Sequence, residues 1–382
     1  MGGTRVFSAL LILLLTGLFG GFFPSPGFGA ETSEIGKVVK PKKVTITPRM
    51  TQGEIQIVGY QMPDAFSTPF GIGVDKKDNV WFTLMTGNSL GVLNPSNNEV
   101  KLYRIPSTVG LPDTKWDYSS KDKKMPEKTL NIYSVGDPGN LTIDKKGDVW
   151  FVMQLGNSVV RFEPEKERFT EFLPNKLAYI DPGTKKMNEI KLEVGTKPMG
   201  LVVGPDDTVW LDSVEGNYVG KYDPSSKKLT KYFIVTPVAQ PGKMIFDKLG
   251  KVWFCAPHAK QIGAFYPDKG LFGIVDAPGY NAVPQSIAAA SDGLIWYVDS
   301  MMNTVGFFNQ DKAKWSVFEI PTNNAQAMNL ALDSKGDVWY TESDRYANQI
   351  SKIVRSSVKE EMIAKGHMGT KNLQAPSSHG GH

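Results

Sequence analysis

Stretches in which apolar and polar residues alternate follow one another through most of the chain, each closed by proline, glycine, asparagine or aspartate. Asn217-Tyr-Val-Gly-Lys-Tyr-Asp223-Pro224 and then Lys227-Lys-Leu-Thr-Lys-Tyr-Phe-Ile234 are one such pair. A period of two marks a strand with one face buried, and the closing residues mark hairpin turns. The pattern therefore predicts many short antiparallel strands and no long helix.

The strands recur in a fixed order. A proline, or its substitute, precedes a tryptophan by twelve residues six times: Pro69 to Trp81, Pro138 to Trp150, Pro198 to Trp210, Pro241 to Trp253, Pro284 to Trp296 and Ala327 to Trp339. The last four tryptophans are 43 residues apart. Asp75, Asp144, Asp247 and Asp333 each sit six residues before a Trp, where a carboxylate can accept from turn N–H groups between two strands. Seven residues after the Trp comes Asn88, Asn157, Asn217 or Asn303, with Lys260 in that slot once and Asn348 two residues late. Pro95, Pro164, Pro224 and Pro267 cannot donate to a ladder and so end the third strand. Four short antiparallel strands per repeat describe an all-β chain, a β-propeller of four-stranded blades.

The last repeat supplies only three strands, while Gly53 to Pro63 reads as an isolated fourth strand with no blade before it. That N-terminal strand is expected to complete the last blade and close the ring, which removes open sheet edges. Six repeats are clear. Between Trp81 and Trp210 two surplus stretches, 107–137 and 175–197, are left over; the second contains 178–192, which matches the third and fourth strands of a repeat. They read either as pieces of a seventh blade or as two insertions on a six-bladed ring.

The flanks have a different character. Arg5, the apolar run 6–23 and the small residues Gly27 and Gly29 describe a signal peptide over 1–29, with cleavage after Gly29. The expected location is extracytoplasmic, periplasmic or secreted, and contact with a membrane is expected only through this segment if it stays uncleaved. Residues 30–53, with Lys37, Lys40, Lys42 and Lys43, read as a basic solvated linker, 54–356 as the propeller, and 357–382 as a flexible tail carrying His367, His379 and His382.

Composition narrows the function. With 41% apolar and 21% charged residues, 38 Gly and 25 Pro, the chain is a turn-rich globular protein and not collagen, coiled coil or a disordered chain. The 43 Lys and Arg against 39 Asp and Glu leave only +4, scattered along the sequence, which excludes a nucleic-acid-binding face. The single cysteine, Cys255, excludes an intrachain disulfide.

Pro69-Phe-Gly-Ile72, Val80-Trp-Phe-Thr83 and Asn88-Ser-Leu-Gly91, repeated around a ring, resemble the streptogramin lyase (virginiamycin B lyase-like) family over residues 54–355. The resemblance implies seven blades and a metal-assisted elimination that opens a cyclic depsipeptide. It also implies histidines just after the blade-opening proline in two late blades, with glutamates nearby. Here those positions read Pro284-Gln285-Ser-Ile287 and Ala327-Met328-Asn-Leu330, and Gln326 stands where a carboxylate is implied. Neither glutamine nor methionine transfers protons near neutral pH. Trp339-Tyr-Thr-Glu342 keeps an acidic residue near the position of another implied glutamate.

In a propeller, the loops into the first strand and out of the second share one face around the channel mouth. That arithmetic places Phe70, Met199, Glu215, Gln285, Asp299, Met328 and Asp344 there as ligand-face residues. His258 and Glu342 are the candidate catalytic groups, and His258, Asp299, Glu342 and Asp344 the candidate ligands for a divalent cation, Mg²⁺ or Ca²⁺. Three readings follow. The first is a noncatalytic propeller that binds a protein, peptide or small molecule at its loop face. The second is a divergent metal-dependent lyase or hydrolase acting on a cyclic ester. The third is a copper or redox-associated propeller using methionines, Cys255 and His258. Cys255 also reads as a small core residue, since it stands two after its Trp where other repeats have Thr83, Val152, Val298 and Thr341.

Overall fold

The structure is a computed structural model. It describes residues 55–64, 67–105, 138–144, 146–153, 158–172, 200–206, 208–223 and 228–359, the single positions 198 and 226, and six short strands elsewhere. The fold is all-β, a six-bladed propeller. In chain order the blades occupy 69–104, 138–172, 201–233, 244–276, 284–319 and 327–353. The fifth is representative: Pro284–Ala289, Leu294–Asp299, Thr304–Asn309 and Lys314–Glu319 pair in sequence order, with Trp296 opposite Ala288 on one side and Phe307 on the other.

The sixth blade draws its fourth strand from the other end of the chain. Ile57–Gln61 runs antiparallel to Gln349–Ile353, with Tyr60 opposite Ile350. The sixth and first blades then meet along their inner strands, Ala327–Leu332 against Pro69–Val74, and Thr341 Oγ1 donates to the Phe70 carbonyl across the seam at 3.2 Å.

Three short strands join the outer edges of blades: Lys37–Val38 on Arg168–Phe172, Lys42–Thr45 on Glu99–Arg104, and Arg49–Thr51 on Ile57–Gln61. Where a solvated linker is the sequence expectation, these three strands instead pair with sheet edges, and edge pairing is carried by backbone groups. The hairpin Leu177–Ile180 with Met187–Ile190 falls in the stretch that matches third and fourth strands. Together with Leu11–Leu13, which pairs with Leu177–Ile180 and lies beside Leu201–Val203, it forms a separate three-stranded sheet. The remainder of 1–29, the surplus stretch 107–137 and the tail from 360 onward lie outside the described residues.

The repeated tryptophans pack one blade on the next. Trp339 lies with Ile72, Val80 and Phe82 of the first blade. Trp81 lies with Leu141, Phe151 and Phe162 of the second, Trp210 with Val252 and Phe254, Trp253 with Ile287 and Tyr297, and Trp296 with Val338 and Tyr340. Burying a large aromatic in such a seam makes its loss cost about 3–5 kcal/mol.

Each repeated polar residue has a job. Asp247 Oδ1 accepts from the N–H groups of Leu249 and Lys251, and its Oδ2 accepts from Trp253 Nε1 at 3.0 Å. The same carboxylate-to-indole bond joins Asp75 to Trp81, Asp144 to Trp150 and Asp333 to Trp339. The asparagines that follow the second strand, Asn88, Asn217, Asn303 and Asn348, all have positive φ, as does Lys260. Asparagine tolerates that backbone, and its amide then clamps the loop leading to the next blade. Asn303 Nδ2 donates to the Ile320 and Thr322 carbonyls, while its Oδ1 accepts from Ala325 N.

Glycine is required at one repeated position of the third strand. Gly91 and Gly263 lie opposite Phe82 and Phe254, whose rings occupy the space a Cβ would take.

Candidate loop-face site

Because each blade is a meander, loops leaving second strands and loops leading into first strands emerge on one face. The asparagine clamps of Asn88, Asn217, Asn303 and Asn348 tie the two sets together in the first, third, fifth and sixth blades, so this face is held there by hydrogen bonds and not only by chain connectivity.

The candidate chemical groups do not gather there as a cluster. His258 is exposed, on the 3₁₀ turn Pro257–Ala259. Asp299 is fully buried at the end of its strand. Its Oδ2 accepts from Val283 N at 2.7 Å and its Oδ1 from Met301 N and Met302 N at 3.1 and 2.9 Å. Burial raises its pKa while those three N–H groups pull it down. Asp299 therefore staples two loops of the fifth blade. Glu342 is also fully buried: Oε1 accepts from Ser351 Oγ at 2.6 Å and Oε2 from Gln349 Nε2 at 2.7 Å. Burial pushes its carboxyl up, with hydrogen bonds from Ser351, Thr322, Gln349 and Tyr340 opposing. Asp344, half-buried, accepts from Tyr346 N and from Asn324 Nδ2. Among the described residues, no three His, Cys, Asp or Glu side chains are placed to hold a metal ion together.

Of the ligand-face residues, Phe70, Gln285 and Met328 are half-buried around the inner strands, and Gln285 Nε2 donates to Ser300 Oγ at 3.1 Å. Glu215 is exposed. Met199 lies outside the described residues. Cys255 is buried among Trp253, Ile262 and Ile287, and burial pushes its thiol well above the ordinary range, with Lys243 opposing. It fills the slot from which Thr83 accepts Gly71 N and donates to the Gly139 carbonyl of the next blade, both at 2.8 Å.

What the face does offer is apolar surface. Tyr280 is 88% exposed, Tyr346 71%, Met301 66% and Val238 65%, with Val235 and Met302 also open. These residues lie on loops of the third to sixth blades, all on this face. Lys260 Nζ sits 4.8 Å from the Tyr280 ring centre and donates to the Tyr280 carbonyl at 2.6 Å. The Arg345 guanidinium lies 4.7 Å from the Tyr346 ring. Met302 rests against Gly279, where φ is +116°. Alternation could not reveal this surface, because loop residues have no period; the only trace in the sequence is an unusual run of Tyr and Met at loop positions of the late repeats.

Comparison with known proteins agrees with this architecture. A profile of the virginiamycin B lyase family matches residues 165–368. Among solved structures, a streptogramin B lyase superposes with a TM-score of 0.65 at 20% identity, over 78% of this chain and 97% of that one. Virginiamycin B lyase from Staphylococcus aureus gives the same TM-score and identity, over 78% and 98%. An extracellular domain from B. thetaiotaomicron gives 0.55 at 11% identity, over 79% of this chain and 46% of that one. No curated protein matches the sequence. At such identities the solved structures share a fold, and the profile match over more than half the chain carries the relationship: the chain belongs to the virginiamycin B lyase family.

Proposed function

We propose that this protein is an exported, noncatalytic propeller that binds a peptide, protein or small ligand through its loop face. The observation that carries the reading is the concentration of Tyr280, Met301, Met302, Tyr346, Val235 and Val238 on that face. Several large apolar side chains exposed on one side of a domain mark a recognition surface. Lys260 and Arg345, stacked on the two tyrosines, add polar contacts at the rim.

The chemistry of the remaining groups supports binding over turnover. Gln285 and Met328 stand where the family resemblance implies histidines, and Asp299 and Glu342 have their oxygens engaged inside their own blades. Export is supported by the basic, apolar and small-residue succession at the N-terminus. Among the described residues, no helix is long and apolar enough to cross a membrane.

The test is direct. Purified full-length protein is incubated with a streptogramin B and the ring-opened product is followed by mass spectrometry. No turnover above the uncatalysed rate is expected. Turnover that falls when His258 or Glu342 is replaced by alanine would overturn the noncatalytic reading.

A further inference from the structure

We propose that Met301 and Met302 form an oxidation site, and that a peroxide acting on it switches the loop face off; this rests on the loop-face reading above. The pair stands apart among the described sulfur atoms. Met62, Met153 and Met244 are buried and Met85 and Met328 half-buried, so that among the methionines whose side chains are described only Met301 and Met302 are exposed, at 66% and 37%. The one thiol, Cys255, is buried, and burial holds it in the unreactive protonated form. An oxidant arriving from solvent therefore meets these two thioethers first.

The two methionines differ in what they touch. Met301 is the more open and adds apolar surface to the face. Met302 packs against the loop leading into the fifth blade: a Cβ at Gly279 would come within 3.0 Å of its Sδ and 2.9 Å of its Cε. The sulfur has room there because residue 279 is glycine, at φ +116°. Ala282 N donates to the Gly279 carbonyl at 3.3 Å, which closes the turn that presents Tyr280.

Both sides of that contact are fixed to one carboxylate. Asp299 Oδ2 accepts from Val283 N at 2.7 Å and its Oδ1 from Met302 N at 2.9 Å, while Ser300 N donates to the Val283 carbonyl at 3.3 Å. An oxygen added at Sδ turns an apolar side chain into a polar one at the atom that faces Gly279. If the sulfoxide leaves the contact for water, the Tyr280 turn loses the side chain packed against it. If it stays, it pushes the turn against the Asp299 bonds. In both cases Tyr280 loses its fixed position.

The step balances. A lone pair on Sδ attacks one oxygen of hydrogen peroxide; the S–O bond forms as the O–O bond breaks, the sulfur gives up two electrons to the peroxide, and the second oxygen leaves with both protons as water. A methionine sulfoxide reductase reverses the change, with a dithiol oxidised to a disulfide and the oxygen released as water.

The probe is hydrogen peroxide. Full-length protein is treated with graded doses, and each methionine is followed by peptide-mapping mass spectrometry. Met301 and Met302 are expected to gain oxygen at least about tenfold faster than Met153 and Met244, and comparable rates would overturn the assignment. Hydrogen exchange over 279–283 then reads the packing step with no ligand present. Faster exchange in the oxidised protein, reversed by the reductase, is expected; unchanged exchange would sink the switch. With a display-selected peptide, oxidation is expected to weaken binding by about tenfold. In Met302→Leu, which keeps apolar volume without sulfur, treated and untreated protein should bind alike, whereas Met301→Leu should remain sensitive. Equal sensitivity in Met302→Leu and the parent would refute the role of Met302. The loop-face reading fails separately, if the peptide binds equally well after Tyr280→Ser and Tyr346→Ser; the oxidation rates and the exchange over 279–283 do not depend on that result.

Discussion

Trp339 Nε1 donates to Asp333 Oδ2 at 2.9 Å, and through that bond a hairpin turn is fastened to the tryptophan that packs one blade on the next. The carboxylate works at both ends, because its other oxygen accepts from the turn amides of Lys335 and Asp337. The fifth blade lacks this device. Ala290 stands in the aspartate position, and Trp296 Nε1 is buried without a hydrogen-bond partner.

That difference makes a prediction of opposite sign in two blades. Asp333→Ala should destabilise the protein by about 2–3 kcal/mol, since it removes bonds to a charged acceptor and strands a buried indole N–H. Ala290→Asp should stabilise it by about 1 kcal/mol by giving Trp296 Nε1 its acceptor. Chemical denaturation of both variants checks the pair, and a stabilising Asp333→Ala would contradict it.

The asparagine clamp predicts a second pair. Asn303→Ala loses the bonds to Ile320, Thr322 and Ala325 and places a Cβ-bearing residue without a polar side chain at φ 53°. A loss of about 2–3 kcal/mol is expected, with Asn303→Gly recovering part of it because glycine accepts that backbone. Lys260→Asn, which restores the repeat residue at φ 58°, should change stability by less than about 1 kcal/mol.

The acidic groups predict opposing slopes of stability with pH. Glu163 is held down to about 2: burial opposes its ionisation, but hydrogen bonds from Lys166, Arg168 and Arg161 prevail. Its contribution is therefore present above the ordinary glutamate value of 4.5 and is lost as pH falls from there toward 2. Glu163→Gln should cost roughly 2 kcal/mol at pH 7, less than the full shift would give because Lys166 and Arg168 are partly solvated, and almost nothing at pH 2. Glu342 behaves in reverse. Its carboxyl is raised by burial, so the stability it contributes is present below its unfolded value and is lost as pH rises through the raised folded one. Glu342→Gln should remove that loss and flatten the curve on the approach to neutrality. Melting temperatures from pH 2 to 7 distinguish the two slopes, and parallel profiles would contradict the assignment.

The repeat was legible because each of its residues is demanded by local chemistry: proline to end a strand, aspartate to hold a turn, asparagine to take positive φ. Counting from the tryptophan places Asp299 and Glu342 at the loop-face ends of their strands but says nothing of their exposure: the second strands Leu294–Asp299 and Val338–Glu342 are buried along their whole length. With both sheet faces covered, alternation carries no information about where a side chain points. Tyr280 and Tyr346 pose the opposite difficulty. Aromatic residues in a strand-rich sequence read as core, and only the three-dimensional ring shows them standing out on one side. The strands Lys37–Val38, Lys42–Thr45 and Arg49–Thr51 join sheet edges through backbone ladders, which leave no residue signature to read.

The central claim is that the loop face is the recognition surface. It is tested most directly by the dissociation constant, from isothermal titration, of a display-selected peptide for the parent protein, for a Tyr280→Ser, Met301→Ser, Tyr346→Ser variant, and for Leu249→Ser. Leu249 is 68% exposed on a turn between first and second strands, on the opposite face. The account predicts that the triple variant weakens binding at least about tenfold, equivalent to ~1.4 kcal/mol, while Leu249→Ser leaves it unchanged. Unchanged affinity in the triple variant, or a loss confined to Leu249→Ser, would contradict it.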